Sequence, residues 1–301
     1  MLLNSPAKVN CQEQEASLTR TFDERTSPRW LHFVELMKAS TRPDLQAETW
    51  PTPPREIVGR TGGGLTPEKQ LHSGAVNWLN FARAFEDNGF DFSGKRVLEF
   101  GCGGGRVLRG FAGYKPGLSL VGCDIDGPTI EWNARELTFA DWKVNQAAPP
   151  APFAPESLDA IYAFSVFSHL PMQRHFSWLD DIARMLKPGG MATLTKMGGK
   201  CWHLYESGQR PNSRPSPQEL EGHHEKWLKK GFAFFPLNQI FWATAQTADY
   251  YSTVDLAEYG NTFITDDFVR AYWRRSGLEL VELRPHPDEW QDYVVLRKSG
   301  T

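Results

Sequence analysis

Val97-Leu98-Glu99-Phe100-Gly101-Cys102-Gly103-Gly104-Gly105 (VLEFGCGGG, residues 97–105) is the stretch that decides the fold. A short apolar run ends in an acid, and glycines then fall at positions 101, 103 and 105. The pattern predicts a buried parallel strand that breaks into a glycine loop and opens a helix over about Arg106–Phe111. Glycine lets a backbone turn sharply and approach a ligand closely. Such a loop belongs at the carboxyl edge of a doubly wound α/β sheet and predicts a nucleotide-type ligand there.

The spacing narrows the choice of ligand. A dinucleotide loop needs G-x-G-x-x-G, and counting from Gly101 the sixth place is Arg106. The string present is E-x-G-x-G-x-G. A carboxylate at Glu99 would repel a pyrophosphate and would suit a ligand carrying an ammonium and a sulfonium. On these residues, and on the longer string VLEFGCGGGRVLRGF (97–111), the chain resembles the class I S-adenosylmethionine-dependent methyltransferases, in a bacterial small-molecule branch. The resemblance implies a Rossmann-like sheet of seven strands with an antiparallel last strand. It implies S-adenosylmethionine as cofactor, S-adenosylhomocysteine as product, and cofactor contacts from Glu99, Phe100, Gly101, Cys102 and Gly103. A glycine-rich turn that holds no ligand is the alternative.

The following segments fit that order. Leu118–Cys123 predicts a second strand, and Asp124 lies 23 positions after Gly101. An acid at this place can accept from both ribose hydroxyls. The resemblance gives Asp124 the ribose and Ile125 the adenine face. Asp126, before Gly127-Pro128, is expected instead to cap a helix over Pro128–Leu137. Trp142–Asn145 reads as a short third strand. By resemblance Asn145 or Gln146 receives the adenine amino group; many family members carry Asp where Gln146 stands, and a plain loop role is the alternative for both. Leu158–Phe164 reads as the fourth strand, and Phe164 and Ser165 would pass beside the methionine part of the cofactor. His169 is the one titratable group in the segment SVFSHL (165–170) and is the candidate base, against a purely turn-ordering role. Ile182–Gly190 reads as a helix end stopped by Pro188 and two glycines, and Met191–Lys196 as the fifth strand.

Composition sets the bounds. The chain has 301 residues, 40% hydrophobic, with net charge −3 and 11 tryptophans, enough for a full core. No dense basic run appears, so the nucleic-acid signal is weak. The four cysteines, Cys11, Cys102, Cys123 and Cys201, form no C-x-x-C pair and read as reduced side chains, with no metal site implied. The start MLLNSPAKVN lacks a signal-peptide core, and no long apolar run predicts a membrane span. A soluble, cytoplasmic protein is the expectation, with a homodimer possible.

Four parts are expected. Residues 1–67 are an N-terminal extension, with helical spacing at Trp30–Lys38 and a linker marked by prolines 43, 51, 53 and 54 and by Gly62–Gly64. Residues 68–197 are the cofactor-binding core, led by a helix over Pro67–Asn88. Residues 198–263 are an insertion after the fifth strand, rich in aromatics: Trp227, Phe232, Phe234, Phe235, Phe241, Trp242, Tyr250, Tyr251, Tyr259 and Phe263. A loop this long is usually functional, and a substrate cap with aromatic walls is the expectation, against a satellite core or a dimer contact. Residues 264–301 complete the core with a helix over Thr265–Ser276 and strands Leu278–Leu283 and Asp292–Arg297. Gln291-Asp292 reads as the beginning of that last strand. Further histidines, His203, His223, His224 and His286, are candidate bases, and His223-His224 lacks the acid or cysteine that would complete a metal site.

The expected function is in-line methyl transfer to a small-molecule acceptor, with oxygen favoured. Methyl transfer to a protein or nucleic acid, or a non-catalytic ligand-binding protein of the same fold, are the alternatives.

Overall fold

The computed structural model describes residues 24–41, 50–61, 66–207, 217–236, 255, 257–286 and 291–300. The expectations on Cys11, Pro43, Gly62–Gly64, Phe241, Trp242, Tyr250 and Tyr251 lie outside these residues. In chain order the elements are α1 (Pro28–Thr41), α2 (Arg55–Thr61), α3 (Pro67–Glu86), β1 (Arg96–Phe100), α4 (Leu108–Phe111), β2 (Ser119–Asp124), α5 (Gly127–Glu136), β3 (Asp141–Val144) and β4 (Leu158–Ala163). They continue with α6 (Met172–Met185), β5 (Leu186–Lys196), α7 (Gly199–Glu206), α8 (Pro217–Lys230), β6 (Phe232–Pro236), β7 (Gly260–Ile264), α9 (Asp266–Tyr272), β8 (Leu278–Arg284) and β9 (Asp292–Lys298).

Seven strands form one sheet in the order β3-β2-β1-β4-β5-β9-β8. The first five are parallel, and β9 runs antiparallel between β5 and β8. This is the doubly wound, Rossmann-like sheet with the antiparallel last strand that the resemblance implies. The strand order reverses at β1, so the carboxyl ends of β1, β2 and β4 meet there, and the glycine loop leaves from that point.

Both faces of the sheet are covered, which is why its central strands read as unbroken apolar runs. Val97 turns to one core with Trp78, Phe81 and Phe85 of α3. Leu98 and Phe100 turn to the other, with Trp178 of α6 and Trp273 after α9. Thr66 caps α3 by accepting from the Lys69 amide at 3.4 Å, with Pro67 in the first turn.

Several boundaries move from the sequence reading. α4 begins at Leu108 rather than Arg106, because the loop holds Arg106 and Val107 outside the helix. β5 begins at Leu186 rather than Met191. The helix before it stops at Met185, and Gly189 adopts φ +76° within a register shift against β4. α9 ends at Tyr272, four residues early, and Ser276 and Gly277 turn the chain with positive φ.

The linker reading fails for residues 50–61. They contain α2 and pack against the core, with Ile57 beside Trp132 and Leu137. The Arg109 guanidinium donates to the carbonyls of Trp50 and Pro51 at 2.5 and 2.7 Å.

The aromatic-wall reading also fails for most of the described rings of the insertion, Tyr259 excepted, which stacks on His169. Trp227, Phe235 and Phe263 are buried in a small core of their own with Trp202 and Tyr205. The Trp202 and Trp227 rings stack at 5.0 Å. Phe232 joins the main core instead. β6 and β7 make a separate antiparallel pair, and Ile264 donates to the Met197 carbonyl, so the insertion is stitched to the end of β5.

Candidate functional site

The glycine loop is fixed by its backbone. The amides of Gly101 and Cys102 both donate to the Cys123 carbonyl at the end of β2, at 2.8 and 3.0 Å. The Gly103 amide donates to Asp124 Oδ2 at 2.8 Å. Asn133 of α5 donates its side-chain amide to the Gly103 carbonyl at 2.7 Å. Gly101 (φ +73°) and Gly105 (φ +71°) lie in the left-handed region that favours glycine. A Cβ on Gly101 would sit 2.3 Å from a Val166 methyl, and one on Gly105 2.7 Å from the Trp142 ring. Both packing and dihedral demand glycine at these two positions.

Three acids stand around the loop, two pushed upward by burial and one held low by an arginine. Glu99 is buried under it, where Oε2 accepts from the Leu108 amide at 2.9 Å and from the Tyr162 hydroxyl at 3.1 Å. The carboxyl thus anchors the start of α4 to β1 and β4. Burial pushes its pKa up to about 8, so it carries a proton at neutral pH. Asp124, also buried, is raised by the same desolvation, against backbone donors at Asp126 and Gly103. Each of its oxygens accepts one backbone amide, and a carboxylate has about four acceptor sites, so capacity remains for a ligand. Asp126 caps α5 by accepting from the Thr129 amide at 3.2 Å, as the helix-start pattern predicts. Burial pushes Asp126 up, but the Arg60 guanidinium outweighs it and holds the carboxyl below the usual range. Arg60 Nε reaches Oδ2 at 2.8 Å and its Nη2 reaches Oδ1 at 2.5 Å.

The other sequence-predicted residues divide. The Phe100 side chain points away into the core against Trp178, ring centroids 4.6 Å apart, so only its backbone faces the loop. Ile125 is half-buried just past β2. Asn145 is buried at the end of β3; its Nδ2 donates to the Gln146 carbonyl, and its Oδ1 has no partner among the described residues. Gln146 is exposed. Phe164 is half-buried under the Arg106 guanidinium at 4.8 Å, and Arg106 donates to Ser73 of α3 at 2.7 Å. The thiols of Cys102 and Cys123 are buried, and burial pushes both upward, so neither is a nucleophile. Among the described residues no three His, Cys, Asp or Glu side chains gather as metal ligands.

Beside the loop, the chain after β4 builds a second polar group. Ser165 sits at φ +60°, and its amide donates to Thr195 Oγ1 at 2.8 Å. Its hydroxyl meets His169 Nε2 at 3.3 Å and Ser168 Oγ at 3.2 Å, and accepts from Gln291 Nε2 at 2.8 Å. His169 Nδ1 donates to the Gly260 carbonyl at 2.7 Å, and its ring stacks on Tyr259 at 5.0 Å. The other candidate bases stand elsewhere. His224 pairs with Glu206, His223 lies against Phe235, His203 is exposed, and His286 stacks on Tyr293.

A family profile described as a methyltransferase domain matches residues 98–192, from β1 into β5. The matched residues thus read as a methyltransferase domain. The methyltransferase core is 32% identical over 107 residues to a tRNA (carboxymethyluridine(34)-5-O)-methyltransferase of Arabidopsis thaliana, covering 34% of this chain and 24% of that protein. It is 29% identical over 126 residues to a ubiquinone biosynthesis O-methyltransferase of Dechloromonas aromatica, covering 40% and 50%. The chain thus spans between a quarter and a half of the length of these curated relatives. A solved SAM-dependent methyltransferase from Methanosarcina mazei superposes with a TM-score of 0.49 at 18% identity, over 71% of this chain and 96% of that one.

Sequence reasoning gave no contact to Arg60, Arg106 or Arg109, and took Gln291 only as the beginning of the last strand. Arg106 was visible only as the residue that spoils a dinucleotide motif. Arg60 and Arg109 act through the 50–61 segment, whose prolines resemble those of a linker. No described helix is long and apolar enough to cross a membrane.

Proposed function

We propose that the chain transfers the methyl group of S-adenosylmethionine to a small-molecule acceptor, at an oxygen atom. The observation that carries the cofactor half is the pinned glycine loop with buried Asp124 beside it. In this reading Asp124 takes the ribose hydroxyls and Ile125 packs on the adenine. The unpartnered Oδ1 of Asn145 suits the adenine amino group, because a buried acceptor without a donor is costly. Gln146, exposed, is left to the rim. The backbones of Glu99 to Gly103 and Phe164 line the methionine part. The two relatives described above are both named for oxygen as the methylated atom, which supports the oxygen reading.

The cofactor, when bound, supplies an electrophilic methyl on a sulfonium that leaves as a neutral thioether. The protein must then place the acceptor about 3–3.5 Å from that carbon, in line, and exclude water. In this reading His169 accepts the proton of a hydroxyl acceptor. Its Nδ1–H is committed to the Gly260 carbonyl, which fixes the tautomer with the lone pair on Nε2, toward Ser165. The proton so gained rests on an imidazolium that keeps the same carbonyl bond.

A tRNA acceptor is the second reading, favoured by the names of two relatives, including a tRNA N(3)-cytidine methyltransferase of Gallus gallus. Calorimetric titration with S-adenosylmethionine, S-adenosylhomocysteine and NAD tests the cofactor. Both sulfur ligands should bind and NAD should not, and Asp124→Ala should weaken them by roughly 100-fold. Absence of binding by either sulfur ligand overturns the reading. Labelled methyl transfer to bulk tRNA, set against small hydroxylated compounds, then separates the two acceptors.

A further inference from the structure

Gln291 is 4% exposed, and its Oε1 has no hydrogen-bond partner among the described residues. A buried amide oxygen left unpaired costs free energy on the scale of a lost hydrogen bond. The amide is also held in place. Its Nε2 donates to Ser165 Oγ at 2.8 Å, across 126 residues of sequence. Ser165 itself occupies a left-handed conformation that is unfavourable for a side-chain-bearing residue, fixed by Thr195.

The location points to the reacting group. β9 is antiparallel to β5, with Asp292 opposite Lys196, so Gln291 stands just past the carboxyl end of β5. Ser165 precedes Val166, the residue that abuts Gly101 of the cofactor loop. The charge is equally specific. Gln291, Ser165 and Ser168 are neutral. The neighbouring Asp292 carboxylate is already paired with Lys196 at 3.0 Å. An amide oxygen in this place accepts from a hydrogen-bond donor and repels a carboxylate, and the oxygen-acceptor reading above makes that donor a hydroxyl.

We propose that Gln291 Oε1, oriented by Ser165 beside His169, is a specificity subsite that accepts a hydrogen bond from a hydroxyl group of the methyl acceptor. The inference rests on the methyltransferase reading above. A phenol and an aliphatic alcohol share this chemistry, and the test separates them.

The full chain is saturated with S-adenosylhomocysteine and titrated with phenol, cyclohexanol and anisole, which has no hydroxyl donor, with binding followed by NMR. Phenol, cyclohexanol or both should bind, and Gln291→Leu should weaken that binding about tenfold. Anisole should bind wild type and variant alike, and the S-adenosylhomocysteine affinity should not move. Ser165→Gly suits the positive φ and removes only the hydroxyl that orients the amide. It should weaken the hydroxyl probes about threefold and serves should Gln291→Leu fail to fold. Equal binding of the hydroxyl probes to wild type and variants, or no binding of either probe, overturns the proposal. Failure of S-adenosylhomocysteine itself to bind is the separate failure of the methyltransferase reading.

Discussion

The two polar groups at the carboxyl edge of the sheet are built in opposite ways. The glycine loop draws its bonds from nearby sequence: Gly103 reaches Asp124 across 21 residues and Asn133 across 30. Most of its donors and acceptors are backbone atoms, so glycine spacing and one acid suffice to specify it. The Ser165 group draws on five places: the end of β4, Thr195 of β5, the turn at His169, β7 through Gly260, and Gln291 before β9. Those contacts are made by side chains across 91 and 126 residues. A cofactor common to many enzymes can be held by a local device. An acceptor particular to one enzyme is met by whatever the later parts of the chain bring over the edge.

The insertion supplies the sharpest way to break that contrast. If α7, α8, β6 and β7 fold around their own core, Trp202→Ala should cost about 3–5 kcal/mol in denaturant unfolding and leave S-adenosylhomocysteine affinity within about twofold. An equal loss of cofactor affinity would tie the two regions into one unit.

Glu99 probes the cofactor side next. Its folded-state pKa, about 8, lies above the ordinary carboxyl value of 4.5. The stability it contributes is therefore complete below pH 4.5 and is lost as the pH rises toward 8. Relative to Glu99→Gln, the wild type should lose about 2–3 kcal/mol between pH 5.5 and 7.5, read from urea melts of the ligand-free protein. Parallel pH profiles for the two proteins would mean that Glu99 is ionised throughout.

The smallest effect concerns the seam between the two groups, where Gly101 meets Val166. Gly101→Ala should cost about 1–3 kcal/mol through both the positive φ and the methyl clash. Adding Val166→Ala should recover the steric part alone, a coupling visible in a double-mutant cycle. Strict additivity would show that the loop and the segment after β4 move independently.

Much of the core was legible because its signals are periodic and local. The apolar runs of β1, β2 and β4, the cap at Asp126 and the glycine loop each depend on residues within a few positions. The LKPGG segment misled, since proline and glycines that end a helix also fit the irregular start of β5, where a Cβ on Gly190 would sit 3.0 Å from the Asp159 carbonyl oxygen. The aromatic insertion misled for another reason. Hydrophobic rings that line a binding wall and rings that fill a small core have the same composition, and only burial tells them apart.

The sequence by itself determined the doubly wound sheet, the loop at its switch point, the acid at Asp124 and the cap at Asp126. Backbone hydrogen bonding and dihedral demands at those positions leave few other residue types. Only the tertiary structure decided that residues 50–61 are a packed strap rather than a linker, that Arg60 neutralises Asp126, and that Gln291 meets Ser165. Such pairs rest on long side chains converging from distant segments, and a one-dimensional pattern carries no record of that distance.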